Sequence, residues 1–314
     1  MSLLALFGTA SAARADVGFA ETTIPRPNEA PIKVAIWYPS TGKASDQPLG
    51  LFVQRVSPNA PVKGHHLPLI VVSHGTGGTR DGHYDTALAL AEAGFVVAAL
   101  EHPGDNYRDQ SRATAIADRP AALSRLIDFM TKSWDGSRLI DPKRIGAFGF
   151  SAGGFTVLAA AGGQPDFGLF GPHCAAHPKL FDCVLLGRQA SPASPGNFIA
   201  DPRIKALVVA APALGFTFAR GLSSVRIPVQ LWRADADEIL PAPDYADAVH
   251  AALPVAPQFE TVANAGHFDF LAPCSTSLAA VAPSICTSRP GFDRALFHKR
   301  FNRSVTRFFR NALK

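Results

Sequence analysis

The sequence predicts an α/β fold, a mostly parallel central sheet with helices on both faces, and three observations point to it. Short, nearly continuous apolar runs recur along the chain, as strands buried on both faces require. Segments with apolar residues at helical spacing alternate with these runs, the rhythm that makes successive strands parallel. One run, residues 145–150, stops at a serine set between small residues and passes at once into a helical pattern, which reads as strand, sharp turn and helix.

The chain has 314 residues, of which 47% are hydrophobic and 18% charged, enough for one large core. No internal repeat or second domain boundary is visible, so residues 16–314 are expected to form a single domain. The net charge of +5 comes without a basic-aromatic module, which argues against nucleic acid as a partner. No run of eighteen uninterrupted apolar residues is present, so no transmembrane segment is expected.

Residues 1–15 read as an address. An apolar stretch at residues 3–7 leads into small residues and an A-x-A site at Ala13-Arg14-Ala15, the pattern of a signal peptide, so an exported protein, periplasmic or secreted, is expected. Residues 17–23 and 32–39 then look like two antiparallel strands joined by Pro25-Arg26-Pro27-Asn28. Residues 40–64, rich in proline and glycine, show no clear period and read as a surface excursion. A buried strand at residues 67–73 ends in His74-Gly75-Thr76-Gly77-Gly78. A helix is expected over 84–93, a strand over 95–100 and an amphipathic helix over 121–133. After the 145–150 strand and its helix, strands are expected at 204–210 and 229–232.

Residues 162–201 break the rhythm. So long a segment is usually functional or disordered, and because it follows the helix after Ser151 it reads as a cap-like insertion over the site. At the other end, residues 292–313 place Phe297, Phe301, Val305 and Phe308 at helical spacing among Lys299, Arg300, Arg303, Arg307 and Arg310. A membrane-surface helix is conceivable, but a terminal helix packing an aromatic stripe on the sheet is favoured. Four cysteines form two close pairs in sequence, Cys174 with Cys183 and Cys274 with Cys286, without the C-x-x-C spacing of zinc or redox sites. Local disulfides are expected after export, although three pairings are possible in principle.

The chemistry centres on Gly149-Phe150-Ser151-Ala152-Gly153, which fits G-x-S-x-G. Its glycines make room for a tight turn that exposes the serine hydroxyl at the end of the sheet. A serine needs an adjacent base, and the base needs a third group to hold its tautomer. His267, after Gly266 and beyond the strand-like residues 258–262, is the preferred base; Asp237 is the preferred acid, with Asp235 and Glu238 in reserve. The order Ser, Asp, His suits this architecture. The backbone N–H of Ala152 and that of Thr76 are the expected oxyanion donors. His74 and His102 also follow strands and, with Phe150, are the expected substrate-lining residues.

Together His74-Gly75-Thr76-Gly77-Gly78, Glu101-His102-Pro103-Gly104-Asp105, the serine turn, Asp237 and Gly266-His267 resemble the α/β-hydrolase superfamily. Within it the chain is similar to predicted dienelactone hydrolases and the platelet-activating-factor acetylhydrolases related to them. The resemblance implies hydrolysis of a small-molecule ester through an acyl-serine, with no metal and no organic cofactor. Dienelactone hydrolases carry cysteine where this chain has Ser151, so dienelactone is not the expected substrate. A serine carboxylesterase acting on small or short-acyl esters is the expectation. Its rivals are a phospholipase or acetylhydrolase working on lipids, a polyester or phthalate-ester hydrolase, and a non-catalytic binding protein of the same fold. The oligomeric state has no signature in the sequence.

Overall fold

The structure, a computed structural model, describes residues 16–187 and 198–314. Residues 1–15, expected as a signal peptide, and residues 188–197 of the expected cap-like insertion lie outside the described residues. Strands β1 (Asp16–Arg26), β2 (Glu29–Ser40), β3 (Ser45–Leu49), β4 (Phe52–Pro58), β5 (Leu67–Ser73), β6 (Val96–Glu101), β7 (Ile140–Phe150), β8 (Ile204–Ala210), β9 (Val229–Ala234) and β10 (Gln258–Val262) form one sheet. Its order is β10-β9-β8-β7-β5-β6-β2-β1-β4-β3. The six strands from β10 to β6 run parallel, and β2 and β1 add antiparallel neighbours at one side.

Residues 40–64, expected as a surface excursion, instead contain the β3–β4 hairpin, which extends the sheet through β1. β4 does alternate, with Phe52, Gln54 and Val56 turned inward, but the middle inward residue is polar. Gln54 is buried because its Oε1 accepts a 2.7 Å hydrogen bond from the Trp37 indole N–H. That partner lies on a distant strand, so the apolar period is broken in sequence and intact in space.

The helices are α1 (Tyr84–Glu92), α2 (Asp118–Lys132), α3 (Ala152–Ala160), α4 (Phe170–Ala176), α5 (Phe181–Leu186), α6 (Ala246–Ala252), α7 (Thr276–Val281), α8 (Pro283–Cys286) and α9 (Arg294–Ala312). β5 and β7 are buried on both faces, so alternate residues feed two separate cores. Leu69 and Val71 pack with α2, α3 and α6 on one face. Ile70 and Val72 pack with α1 and α9 on the other. In α9, Phe297, Phe301, Val305 and Phe309 meet the sheet, while Lys299, Arg300, Arg303, Arg307 and Arg310 face solvent. Phe309 rather than Phe308 is the fourth buried member, since it lies on the core side against Phe95.

The winding order reverses at β5: the next strand in sequence, β6, pairs on one side of it and the one after, β7, on the other. In a doubly wound sheet the loops at the carboxyl ends part there and leave a crevice. The loops after β5, β7, β9 and β10 all carry residues of the expected site.

Candidate active site

Ser151 sits between β7 and α3 with φ +54° and ψ −121°, a backbone conformation that a serine adopts only under constraint. Its flanking glycines are required by space. A Cβ at Gly149 would lie 2.0 Å from the Gly153 carbonyl oxygen, and one at Gly153 would lie 1.9 Å from that of Ser73. The turn is anchored by the Ser151 N–H donating to the Ala210 carbonyl at 3.0 Å and by the Ala213 N–H donating to the Ser151 carbonyl at 2.9 Å.

His267 begins a short 3₁₀ turn after β10 and is 2% exposed. Its Nδ1 lies 2.8 Å from Asp237 Oδ2 and its Nε2 lies 3.1 Å from Ser151 Oγ. With Nδ1–H donated to the carboxylate, the Nε2 lone pair faces the serine O–H. Asp237 is held in turn by the N–H groups of Ile239 and Leu240, which donate to Oδ1 at 3.0 and 2.8 Å. Those bonds compensate a buried carboxylate and fix its direction. Of the reserve acids, Asp235 is exposed beside Arg233, and Glu238 lies against Gly266 rather than the imidazole.

Thr76 lies in the loop after β5, and Ala152 is the first residue of α3. Among the described residues neither backbone N–H has a hydrogen-bond acceptor. The Thr76 loop is shaped by the Gly78 N–H donating to the Gly75 carbonyl at 3.1 Å and by the Gly77 N–H donating to Asp105 Oδ1 at 2.8 Å.

Arg119, a residue to which the sequence assigned no role, ties this loop down. Its guanidinium donates to Asp105 Oδ2 and to the His74 carbonyl, and its Nε donates to Thr156 Oγ1 at 3.0 Å. Thr156 Oγ1 donates in turn to the Ala152 carbonyl at 2.7 Å. One buried cation therefore joins the loop bearing Thr76 to the helix bearing Ala152. Burial holds the Arg119 pKa below its ordinary value, against the opposing pull of Asp105.

The three expected substrate-lining residues fall in different places. His102 does not border the cavity at Ser151, because its Nε2 is engaged 2.9 Å from Ser73 Oγ beneath the loop. It borders an outer groove with Asp105, Arg112 and Arg119 instead. His74 accepts the His102 N–H at Nε2, 3.0 Å away, and its Nδ1–H donates to the Gly75 carbonyl at 2.6 Å. His74 and Phe150 border a neighbouring cavity rather than that of Ser151.

Two cavities meet near the serine. The first, about 270 Å³, is bordered by Ser151, Thr76, Phe167, Phe170 and Phe181, with Asp182 as its one ionisable wall among the described residues. Burial raises the Asp182 carboxyl above its usual range, and both its oxygens lie within 3.0 Å of the Tyr245 hydroxyl, which donates to it. The second, about 480 Å³, shares Thr76 and is walled by Phe150, Phe268, Leu271, Leu278 and Ile285. Disulfides brace the segments bordering each: Cys174–Cys183 joins α4 to α5, and Cys274–Cys286 spans α7 and α8.

Three buried histidines near the site are held neutral. Desolvation lowers His74 to about 3 and His83 to about 4, and puts His102 well below its ordinary value. Each would titrate near 6.5 in the unfolded chain, which therefore binds more protons at acid pH. Their contribution to stability is full above about pH 6.5 and is lost as pH falls toward 4. His83 packs between Phe148 and Phe150, with ring centroids 4.9 and 5.4 Å away. His83→Gln is expected to flatten the fall in unfolding free energy by about 1.4 kcal/mol per pH unit between pH 6 and 5. Urea unfolding from pH 8 to 5 measures it, and an unchanged slope contradicts it.

Known proteins share parts of this chain. Residues 44–134 match the family model described as platelet-activating factor acetylhydrolase, isoform II. NocK of Nocardia uniformis subsp. tsuyamanensis, an esterase by name, is 30% identical over 114 residues, covering 35% of this chain and 33% of that protein. The platelet-activating factor acetylhydrolase of Cavia porcellus is 44% identical over 69 residues, 21% of this chain and 15% of that one. The matched regions thus span a third or less of the length of these curated relatives. Ferulic acid esterase from Streptomyces cinnamoneus superimposes with a TM-score of 0.65, covering 97% of this chain and 92% of its own at 19% identity. That likeness is one of architecture, and the architecture is the α/β-hydrolase fold.

Proposed function

We propose that this chain, built on the α/β-hydrolase fold, is an exported serine carboxylesterase that cleaves small or short-acyl esters through an acyl-serine. The observation carrying the reading is the unbroken contact from Ser151 Oγ through His267 to Asp237, opening on an apolar cavity. The esterase and acetylhydrolase relatives support the same class of reaction.

In this mechanism Ser151 Oγ attacks the ester carbonyl while His267 Nε2 takes its proton. Asp237 stays ionised and stabilises the imidazolium. The carbonyl oxygen, now anionic, receives the N–H groups of Thr76 and Ala152. Collapse of the tetrahedral intermediate breaks the bond to the alcohol, which leaves with the proton from His267. A water deprotonated by His267 then attacks the acyl-serine and releases the acid. The α4–α5 segment acts as the cap, its aromatic side chains excluding water from the acyl group. Two disulfides suit the oxidising compartment that export would reach.

A cavity of about 270 Å³ limits the acyl group it can hold. On p-nitrophenyl esters, kcat/KM is expected to peak among short acyl chains and fall by about tenfold or more toward dodecanoate, since methylenes beyond the cavity's capacity must displace its packed aromatic wall. A lipid esterase is the second reading, favoured by the larger apolar cavity and by exposed Val281 beside it. A rate that climbs with chain length and jumps above the micelle threshold would replace the first reading with the second.

A further inference from the structure

His173 lies in α4, and His177 follows four residues later at its end, so the two imidazoles project on one side of the helix. Asp244, in the segment leading into α6, faces them, with Oδ2 3.4 Å from His177 Nε2. One donor atom each from His173, His177 and Asp244 lies within 4.8 Å of the others. The ligands of a tetrahedral ion with bonds of about 2.0–2.1 Å stand roughly 3.3 Å apart, so a small inward closure brings this set to bonding distance.

The surroundings suit a ligand set better than an ordinary ion pair. His173 is stacked on Phe216, with ring centroids 3.8 Å apart and planes inclined by 15°, and its Nε2 lies 3.2 Å from the Tyr245 hydroxyl. That hydrogen bond orients the ring and leaves its other nitrogen available, as outer-sphere partners of metal-bound imidazoles do. His177 is exposed and Asp244 partly so, which leaves an approach for the ion and room for water to complete its shell.

We propose that His173, His177 and Asp244 bind a divalent transition-metal ion, Zn²⁺ by the match of two imidazoles and a carboxylate, and so pin α4 to the segment ahead of α6. The consequence reaches the substrate cavity. α4 is joined to α5 by Cys174–Cys183, and this pair of helices carries Phe170, Phe181 and Asp182 into the cavity wall. Binding the ion fixes that wall without touching the reacting atoms.

The test is calorimetric titration of the intact protein with Zn²⁺, beside thermal unfolding with and without the ion. One equivalent is expected to bind with micromolar or tighter affinity and to raise the unfolding midpoint. His177→Ala and Asp244→Ala should each weaken that binding by about tenfold or more and remove the rise. Both replaced side chains are solvent-facing, and metal-free hydrolysis of p-nitrophenyl acetate at the unaltered rate verifies that the variants fold. The paired variant His65→Ala/His66→Ala, which removes another adjacent and exposed histidine couple, should leave the one-equivalent site intact. Absence of saturable uptake, or uptake undiminished in the His177 and Asp244 variants, overturns the proposal.

Discussion

Ser151→Ala is expected to lower kcat on p-nitrophenyl acetate by roughly 10⁴- to 10⁶-fold with little change in KM, and His267→Ala to do the same. In the proposed mechanism the two groups act in one step, in which the serine attacks only as the imidazole takes its proton. The double variant should therefore be no slower than either single one, because nothing remains for the second substitution to remove. The contact of 3.1 Å between Oγ and Nε2 is short enough for direct transfer. Steady-state kinetics on the three proteins measure the effect. Additive losses would mean that the two residues act separately.

Arg119→Met is expected to cost about 3–5 kcal/mol of folding stability and, separately, to lower kcat. The stability term arises because Arg119 and Asp105 are each 3% exposed, so removing one leaves a buried charge without its partner. The kinetic term arises because the same guanidinium holds the His74 carbonyl and Thr156, the two supports on either side of Thr76 and Ala152, the proposed oxyanion donors. A loosened donor should cost up to roughly 10²-fold in kcat with KM nearly unchanged. Arg119→Lys should rescue little, since a single ammonium cannot satisfy three acceptors set in a planar fork. The double variant Arg119→Met/Asp105→Leu separates the terms: stability should return in part while kcat stays low. Recovery of both would make the pair a purely structural element.

These expectations also show where sequence reading succeeds and where it stops. The strands and helices that carry the site were legible because burial on both faces writes continuous apolar runs, and β5, β7 and β8 are such runs. The tight turn at Ser151 was legible because its backbone demands glycine at Gly149 and Gly153 for reasons of space. Arg119 was not, because a charged residue near the start of an amphipathic helix looks solvated until Asp105 arrives beside it through the fold. The β3–β4 hairpin was hidden by Gln54, a polar residue made buriable by Trp37. His102 shows a third limit. A residue just after a strand is placed at the correct edge of the sheet, but the direction of its side chain depends on the loop, and here it turns under toward Ser73.

The proposed hydrolysis requires Ser151 to be a nucleophile made reactive by His267. Treatment with a fluorophosphonate probe, followed by digestion and mass measurement, tests this most directly. The adduct is expected on the peptide containing Ser151, at one equivalent per chain, and its rate of formation should collapse in His267→Ala. A protein that hydrolyses esters yet carries no adduct at Ser151, or labels as fast without His267, would contradict it.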